Sequence, residues 1–213
     1  MVEMDFLESK KLIEKYGVKF VKGKLVKNKK ELIETTKKLK YPITLKIVSK
    51  DISHKSDVGG VALEIQNEKQ ALQKYNEILK RVKKKAPKAK IQGIFVQEFI
   101  QGKQVIVGGK MDQQFGPTIL FGLGGIFVEL MKDVSLRICP ITREDAKEMI
   151  SEIKGYAILK GIRGEKGINM KEMESVLMKV NSLMMKEKIK ELDINPLIAN
   201  EKEIIAVDAR VIE

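Results

Sequence analysis

Apolar residues fall at helical intervals in five stretches of this chain and in short β-branched runs between them. Residues 3–16 carry Phe6, Leu7, Ile13 and Tyr16 among charges, and Gly17 supplies a stop. Residues 29–39 carry Leu32, Ile33 and Leu39 behind Asn28 as cap, and end before Tyr41-Pro42. Residues 68–85 repeat the pattern with Leu72, Tyr75, Ile78, Leu79 and Val82, capped by Asn67. Residues 142–153, capped by Thr142, and a Met- and Leu-striped segment over 170–188 complete the helices. Strands are predicted over 18–21, 43–48, 61–65, 91–100, 104–108, 117–121 and 134–138, with an apolar segment at 126–129. The order describes an α+β protein with a hinge near 98–104, dividing the chain into residues 1–97 and 98–213.

The last stretch carries the sharpest pattern. Two apolar runs, 192–197 and 206–210, flank the polar turn Asn200-Glu201-Lys202-Glu203. A turn centred on Glu201-Lys202 sets Asn195 opposite Asp208 across an antiparallel pair, and Asp193 shares their face. A carboxylate beside a neutral carbonyl oxygen makes half a shell for Mg²⁺, which keeps waters or substrate phosphates for the rest. Spacing alone leaves equally open an edge hairpin whose polar face meets water.

Composition narrows the partners. Lys and Arg number 41 against 29 Asp and Glu, a net charge of +12 that favours anions: nucleic acid, a membrane surface or phosphorylated small molecules. Aromatics are only 5% and Trp is absent, which argues against base-stacking binders of single strands. The apolar window 117–131 is too short and too broken by glycines and Glu129 to span a bilayer. A lone Cys139 excludes an intrachain disulfide, and the charged N-terminus lacks a signal-peptide core; both fit a cytoplasmic protein.

Candidate chemistry concentrates in a few places. Lys46 sits inside the β-branched strand 43–48, either on a solvated face or in a site. The polar loop 51–60 holds the only histidine, His54, and ends in Gly59-Gly60, whose backbone N–H groups suit phosphate oxygens; its spacing is not that of a P-loop. His54, with only Ile52 as an apolar neighbour, suits a general base, a ligand contact or a phosphoryl carrier. Arg137 and Arg163 are cations beside apolar segments, able to balance phosphate or to pair with an acid. No Ser-His-Asp arrangement is present in local motifs, and Cys139 has no partner histidine signature.

Together, Pro42-Ile-Thr-Leu-Lys46, Ile52-Ser-His54-Lys-Ser-Asp57-Val-Gly-Gly60, the block from Phe115 to Glu129, and Asp193-Ile-Asn195-Pro with Val207-Asp208-Ala209-Arg210 resemble the β subunit of ADP-forming acetate–CoA ligase, across essentially the whole chain. The resemblance implies an ATP-grasp fold, two α+β subdomains with nucleotide between their sheets. It implies ATP/ADP and Mg²⁺ as cofactors, and an α subunit carrying CoA and the acyl chemistry, as in α₂β₂ relatives. By that resemblance His54 matches a histidine phosphorylated on the β subunit. Lys46 matches a phosphate contact, and Gly59 and Gly60 lie over the phosphates. Gln97, Glu98 and Phe99 fall at the hinge that holds adenine, and Asn195 and Asp208 match the Mg²⁺ ligands. Gln104 stands where relatives commonly have glutamate; it accepts a ribose hydroxyl but brings no charge. A subunit of another acid–CoA ligase, such as one for succinate, is the near alternative, and a basic nucleic-acid-binding module the alternative of another class. No nucleic acid and no membrane is expected as partner.

Overall fold

The structure, a computed structural model, describes residues 2–52, 54–125, 133–162 and 164–213. The segment 126–129 and Arg163 lie outside the described residues. Helix α1 (Phe6–Lys15) leads into β1 (Gly23–Val26), α2 (Lys29–Thr36), β2 (Ile43–Val48), β3 (Val61–Ile65), α3 (Glu68–Lys85) and β4 (Gly93–Glu98). Then come β5 (Lys103–Asp112), β6 (Gly116–Leu123), β7 (Val134–Ile138), α4 (Arg143–Glu152), α5 (Tyr156–Lys160), α6 (Met170–Lys186), β8 (Glu191–Ala199), β9 (Ile204–Ala206) and β10 (Arg210–Ile212). Among the described residues no helix is long and apolar enough to cross a membrane.

Contacts divide the chain into two compact units, Val21–Ile100 and Met1–Phe20 with Gln101–Glu213. The expected division between 97 and 98 put the N-terminal segment in the first half; its contacts instead lie with the second. Met4 N–H donates to the Val211 carbonyl (3.0 Å), and Arg210 holds Glu3 through two bonds of 2.9 Å. Lys15 and Tyr16 both reach Glu187, at 2.8 and 2.7 Å.

In the unit Val21–Ile100 a four-stranded antiparallel sheet runs β1-β4-β2-β3. Asn28 and Asn67 accept the Glu31 and Gln70 amides at 2.9 and 3.0 Å, which starts α2 and α3. Leu32, Tyr75, Ile78 and Val82 then pack on Ile43, Leu45, Ile47, Ile94 and Val96 to form the core. Over the predicted strand 18–21, Val18, Phe20 and Val21 are buried but the pairing is a single parallel bridge, Phe20 to Ala206; the edge strand is Gly23–Val26.

In the other unit the sheet order is β10-β8-β5-β6-β7, with β9 paired to β8, all antiparallel. Helices α4 and α6 pack on its strands. Val105, Val107, Ile119, Phe121, Leu192 and Ile194 are buried there with Met149, Leu177 and Val180 of those helices. Thr142 and Asp145 form a reciprocal capping box at the start of α4. The short helix α5 was not predicted.

Candidate functional site

Alternation along β2 sends Ile43, Leu45 and Ile47 into the core and Thr44 and Lys46 to the opposite face. Lys46 is paired with Phe95, and Thr44 with Gln97, so these four side chains share that face. Lys46 is 6% exposed and Gln97 2%. Gln97 Oε1 is buried without a hydrogen-bond partner. An acceptor so placed costs about 1–3 kcal/mol, which a ligand bringing an N–H donor would offset. A buried lysine on the same face of the sheet suits an anion. Thr44 and Phe95 were not singled out from the sequence; the two-residue period through Lys46 was the available signal.

Between β2 and β3 the described residues of the loop are pegged to their own unit. Ile52 enters the core, Asp51 accepts the Lys90 amide at 2.7 Å, and the Asp57 carbonyl accepts Lys85 Nζ at 2.7 Å. His54 stands exposed between these pegs. The Gly59 amide donates to the Ser56 carbonyl (2.9 Å) and the Gly60 amide to the Lys55 carbonyl (2.7 Å). The expectation of free phosphate donors here is thus not met, because the loop consumes both amides in its own turn. Glycine is required for that turn. Gly59 has φ +67°, and a Cβ at Gly60 would lie 2.4 Å from Ile47 Cγ2.

At the end of β4 the Glu98 amide donates to the Lys22 carbonyl (3.2 Å) and the Phe99 amide to the Pro42 carbonyl (2.9 Å). Both donors are spent within the unit. In the other unit, Gln104 is exposed, and its carbonyl accepts the Gly124 amide at 2.8 Å, which joins it to the glycine-rich block.

The terminal hairpin forms as its spacing requires. Leu197, Ile198 and Ala199 of β8 face Ala206, Ile205 and Ile204, and Leu192 and Asp193 face Val211 and Arg210. Both pairings keep one register, which carried across the gap between β9 and β10 sets Asn195 opposite Asp208. The Asn195 amide donates to the Asp208 carbonyl at 3.2 Å. At the tip, Asn200 Oδ1 accepts the Lys202 and Glu203 amides at 2.9 and 3.0 Å.

Asp193 completes the group. Burial first, then the charges of Asp208 and Glu191, push its carboxyl above the usual range; Arg210 and a side-chain hydrogen bond with Asn195 pull the other way. Two crowded carboxylates and an amide oxygen on one face are hard donors that a divalent cation would neutralise. Among the described residues no three His, Cys, Asp or Glu side chains are grouped so as to hold a metal ion by themselves. A few hard oxygen donors fit Mg²⁺, which completes its shell with water or phosphate. Arg137, another candidate phosphate cation, is committed to Glu152 at 2.8 and 2.7 Å.

Comparison with known proteins bears on these two groups. Residues 2–212 match the ATP-grasp domain model. The chain is 44% identical over 207 residues to acetate–CoA ligase [ADP-forming] I subunit beta of Pyrococcus furiosus, covering 96% of this chain and 89% of that one. It is 42% identical over 203 residues to acetate–CoA ligase [ADP-forming] I of Archaeoglobus fulgidus, covering 94% of this chain but only 30% of that longer one. Acetyl-coenzyme A synthetase 1 of Ca. Korarchaeum cryptofilum, solved with coenzyme A and Ca-AMPCP, superposes with a TM-score of 0.95 at 40% identity, covering 99% of this chain and 93% of that one. A second structure of that synthetase, TM-score 0.84 at 37% identity over 99% and 92% of the two chains, holds Mg-AMPPCP with a phosphohistidine segment pointing towards the nucleotide binding site.

Proposed function

Because the chain belongs to the ATP-grasp β subunits of the ADP-forming acetate–CoA ligases, we propose that it binds Mg-ADP and Mg-ATP and exchanges a phosphoryl group between nucleotide and His54. A partner α subunit, in an α₂β₂ assembly, carries CoA and the acyl chemistry. The overall reaction is acetyl-CoA, ADP and phosphate to acetate, ATP and CoA. Phosphate attacks the thioester carbonyl and CoA leaves, giving acetyl phosphate. A histidine nitrogen of the partner takes the phosphoryl group as acetate leaves. His54 receives it next, and a β-phosphate oxygen of ADP finally takes it, freeing the imidazole.

Such a transfer needs alignment and charge neutralisation more than covalent chemistry from the protein. Lys46 binds phosphate, and Gln97 Oε1 accepts from the adenine amine. Glu98 and Phe99 offer carbonyls, since their amides are engaged, and Gln104 accepts a ribose hydroxyl. Gly59 and Gly60 shape the loop that carries His54. Asn195 and Asp208 would hold Mg²⁺, which supplies positive charge to the phosphates. The observation that carries this reading is the Asp193, Asn195 and Asp208 oxygen group on one face of the hairpin. Its setting is cytoplasmic.

The test is an assay of the complex with its partner subunit for ATP from acetyl-CoA, phosphate and Mg-ADP. His54→Ala should reduce ATP formation to background while the rise in melting temperature with Mg-ADP persists. Full turnover by that variant would remove His54 from the mechanism.

A further inference from the structure

The six-stranded sheet has two edges, treated differently. Residues 2–4 close off β10, with Val2 bonded to Glu213 and Met4 to Val211. At the other side β7 ends the hydrogen-bonded order among the described residues. On one face of β7 Ser135 is buried and Arg137 reaches Glu152 of α4. On the other, Val134, Leu136 and Ile138 stand 39%, 56% and 51% exposed. Outward edges are ordinarily blunted by lysine, proline or a bulge. Here three successive outward positions are aliphatic, and contiguous exposed apolar surface marks a contact.

The stripe lies on the same sheet face as the hairpin oxygens. Leu136 pairs with Leu120, Leu120 with Gly108 and Gly108 with Asp193. At about 4.8 Å per strand, the Leu136 backbone lies about 14 Å from that of Asp193.

We propose that Val134, Leu136 and Ile138 anchor the polypeptide that supplies the rest of the ligase, the α-type subunit. This rests on the function proposed above. The occupant is set by the relatives: the chain spans 89% of a separate β subunit but 30% of a single-chain enzyme. What peptide bonds hold together in the second must be held by surface contact in the first, and apolar surface supplies that without a fixed charge partner. A partner seated on β7 sits beside the face that presents Asn195, where a phosphoryl group has to be delivered. Three side chains are an anchor within a larger footprint, since a stable interface takes about 800 Å² from each partner.

The chain is co-expressed with the α-type subunit of the same genome, and assembly is followed by size exclusion with light scattering and by binding titration. The double variant Leu136→Glu with Ile138→Glu should bind the subunit about 100-fold more weakly or worse, two aliphatic anchors being lost. It should keep the wild-type melting temperature and Mg-ADP shift. If it melts early, Leu136→Ser alone carries the test, with about tenfold weakening expected. Wild-type affinity in these variants overturns the proposal, as does a wild-type chain that ignores the subunit or uses Leu136 to pair with a second copy. A wild-type chain without any Mg-ADP shift overturns the functional reading instead, and that readout does not pass through β7.

Discussion

An asparagine side chain has a donor end and an acceptor end, and which end faces a ligand depends on its neighbours. At Asn195 the neighbour is Asp193, whose carboxylate shares a hydrogen bond with it. A carboxylate only accepts, so the Asn195 amide nitrogen is its donor and Oδ1 is left for a cation. The same carboxylate is crowded by burial and by Asp208. Asp193→Asn should therefore raise the melting temperature of the nucleotide-free chain, by removing a confined negative charge. It should also raise the Mg²⁺ concentration needed for half of the Mg-ADP stabilisation about tenfold, the usual scale for losing an orienting partner. Thermal melts across a Mg²⁺ series check both; a lower melting temperature with an unmoved Mg²⁺ midpoint contradicts the assignment. The Asn195 and Asp208 pairing was legible in the sequence because strand register follows from turn position by counting. The hydrogen-bond state of Gly59 and Gly60 was not, because a loop amide's partner depends on φ and ψ values that composition does not encode.

At the scale of elements, capped helices were the most legible features. Asn28, Asn67 and Thr142 each mark the observed start, since a short oxygen-bearing side chain there bonds the third amide on. The strand at Gly23–Val26 was not legible. It is an edge with only two apolar residues, whereas the alternating segment before it buries Val18, Phe20 and Val21 with a single bridge. The link from β7 to α4 also escaped a sequence reading that offered Arg137 either phosphate or an acid. Its guanidinium grips Glu152 with both nitrogens, and that hydrogen bond first, then the cation's charge, holds the Glu152 carboxyl below its usual range. A lowered folded pKa means stability that is present above the unfolded value and is lost as pH falls through the folded one. Glu152→Gln should therefore cost at most about 1 kcal/mol near neutral pH, the pair being partly exposed. The deficit should vanish on acidification below the ordinary carboxylate range. Urea melts at a series of pH values measure it, and a deficit that persists in acid would place the cost in packing.

For the whole molecule, the ATP-grasp fold was legible through four motifs spread along the chain, each belonging to one unit of the structure. The grouping of residues 1–20 with 101–213 was not, because pairing of Val2 with Glu213 joins the two ends of the chain and leaves no local trace. Net charge, +12, is a property of the whole, and the anions it favours include nucleic acid and phosphorylated small molecules. They separate by how binding responds to salt and to Mg²⁺. A nucleic-acid module loses affinity linearly in log salt as counterions are released, and gains little stability from a mononucleotide. A buried lysine and a hairpin oxygen group instead predict stabilisation that needs ADP and Mg²⁺ together. At 100 times its Kd, Mg-ADP adds about 2.7 kcal/mol. For a protein of this size that raises the melting temperature by about 5–10 °C. Chelating the metal should remove most of the rise, whereas added salt should trim it only slightly, because Lys46 is shielded from solvent. A rise that is indifferent to Mg²⁺ but collapses between low and moderate salt would assign the charge to nucleic acid.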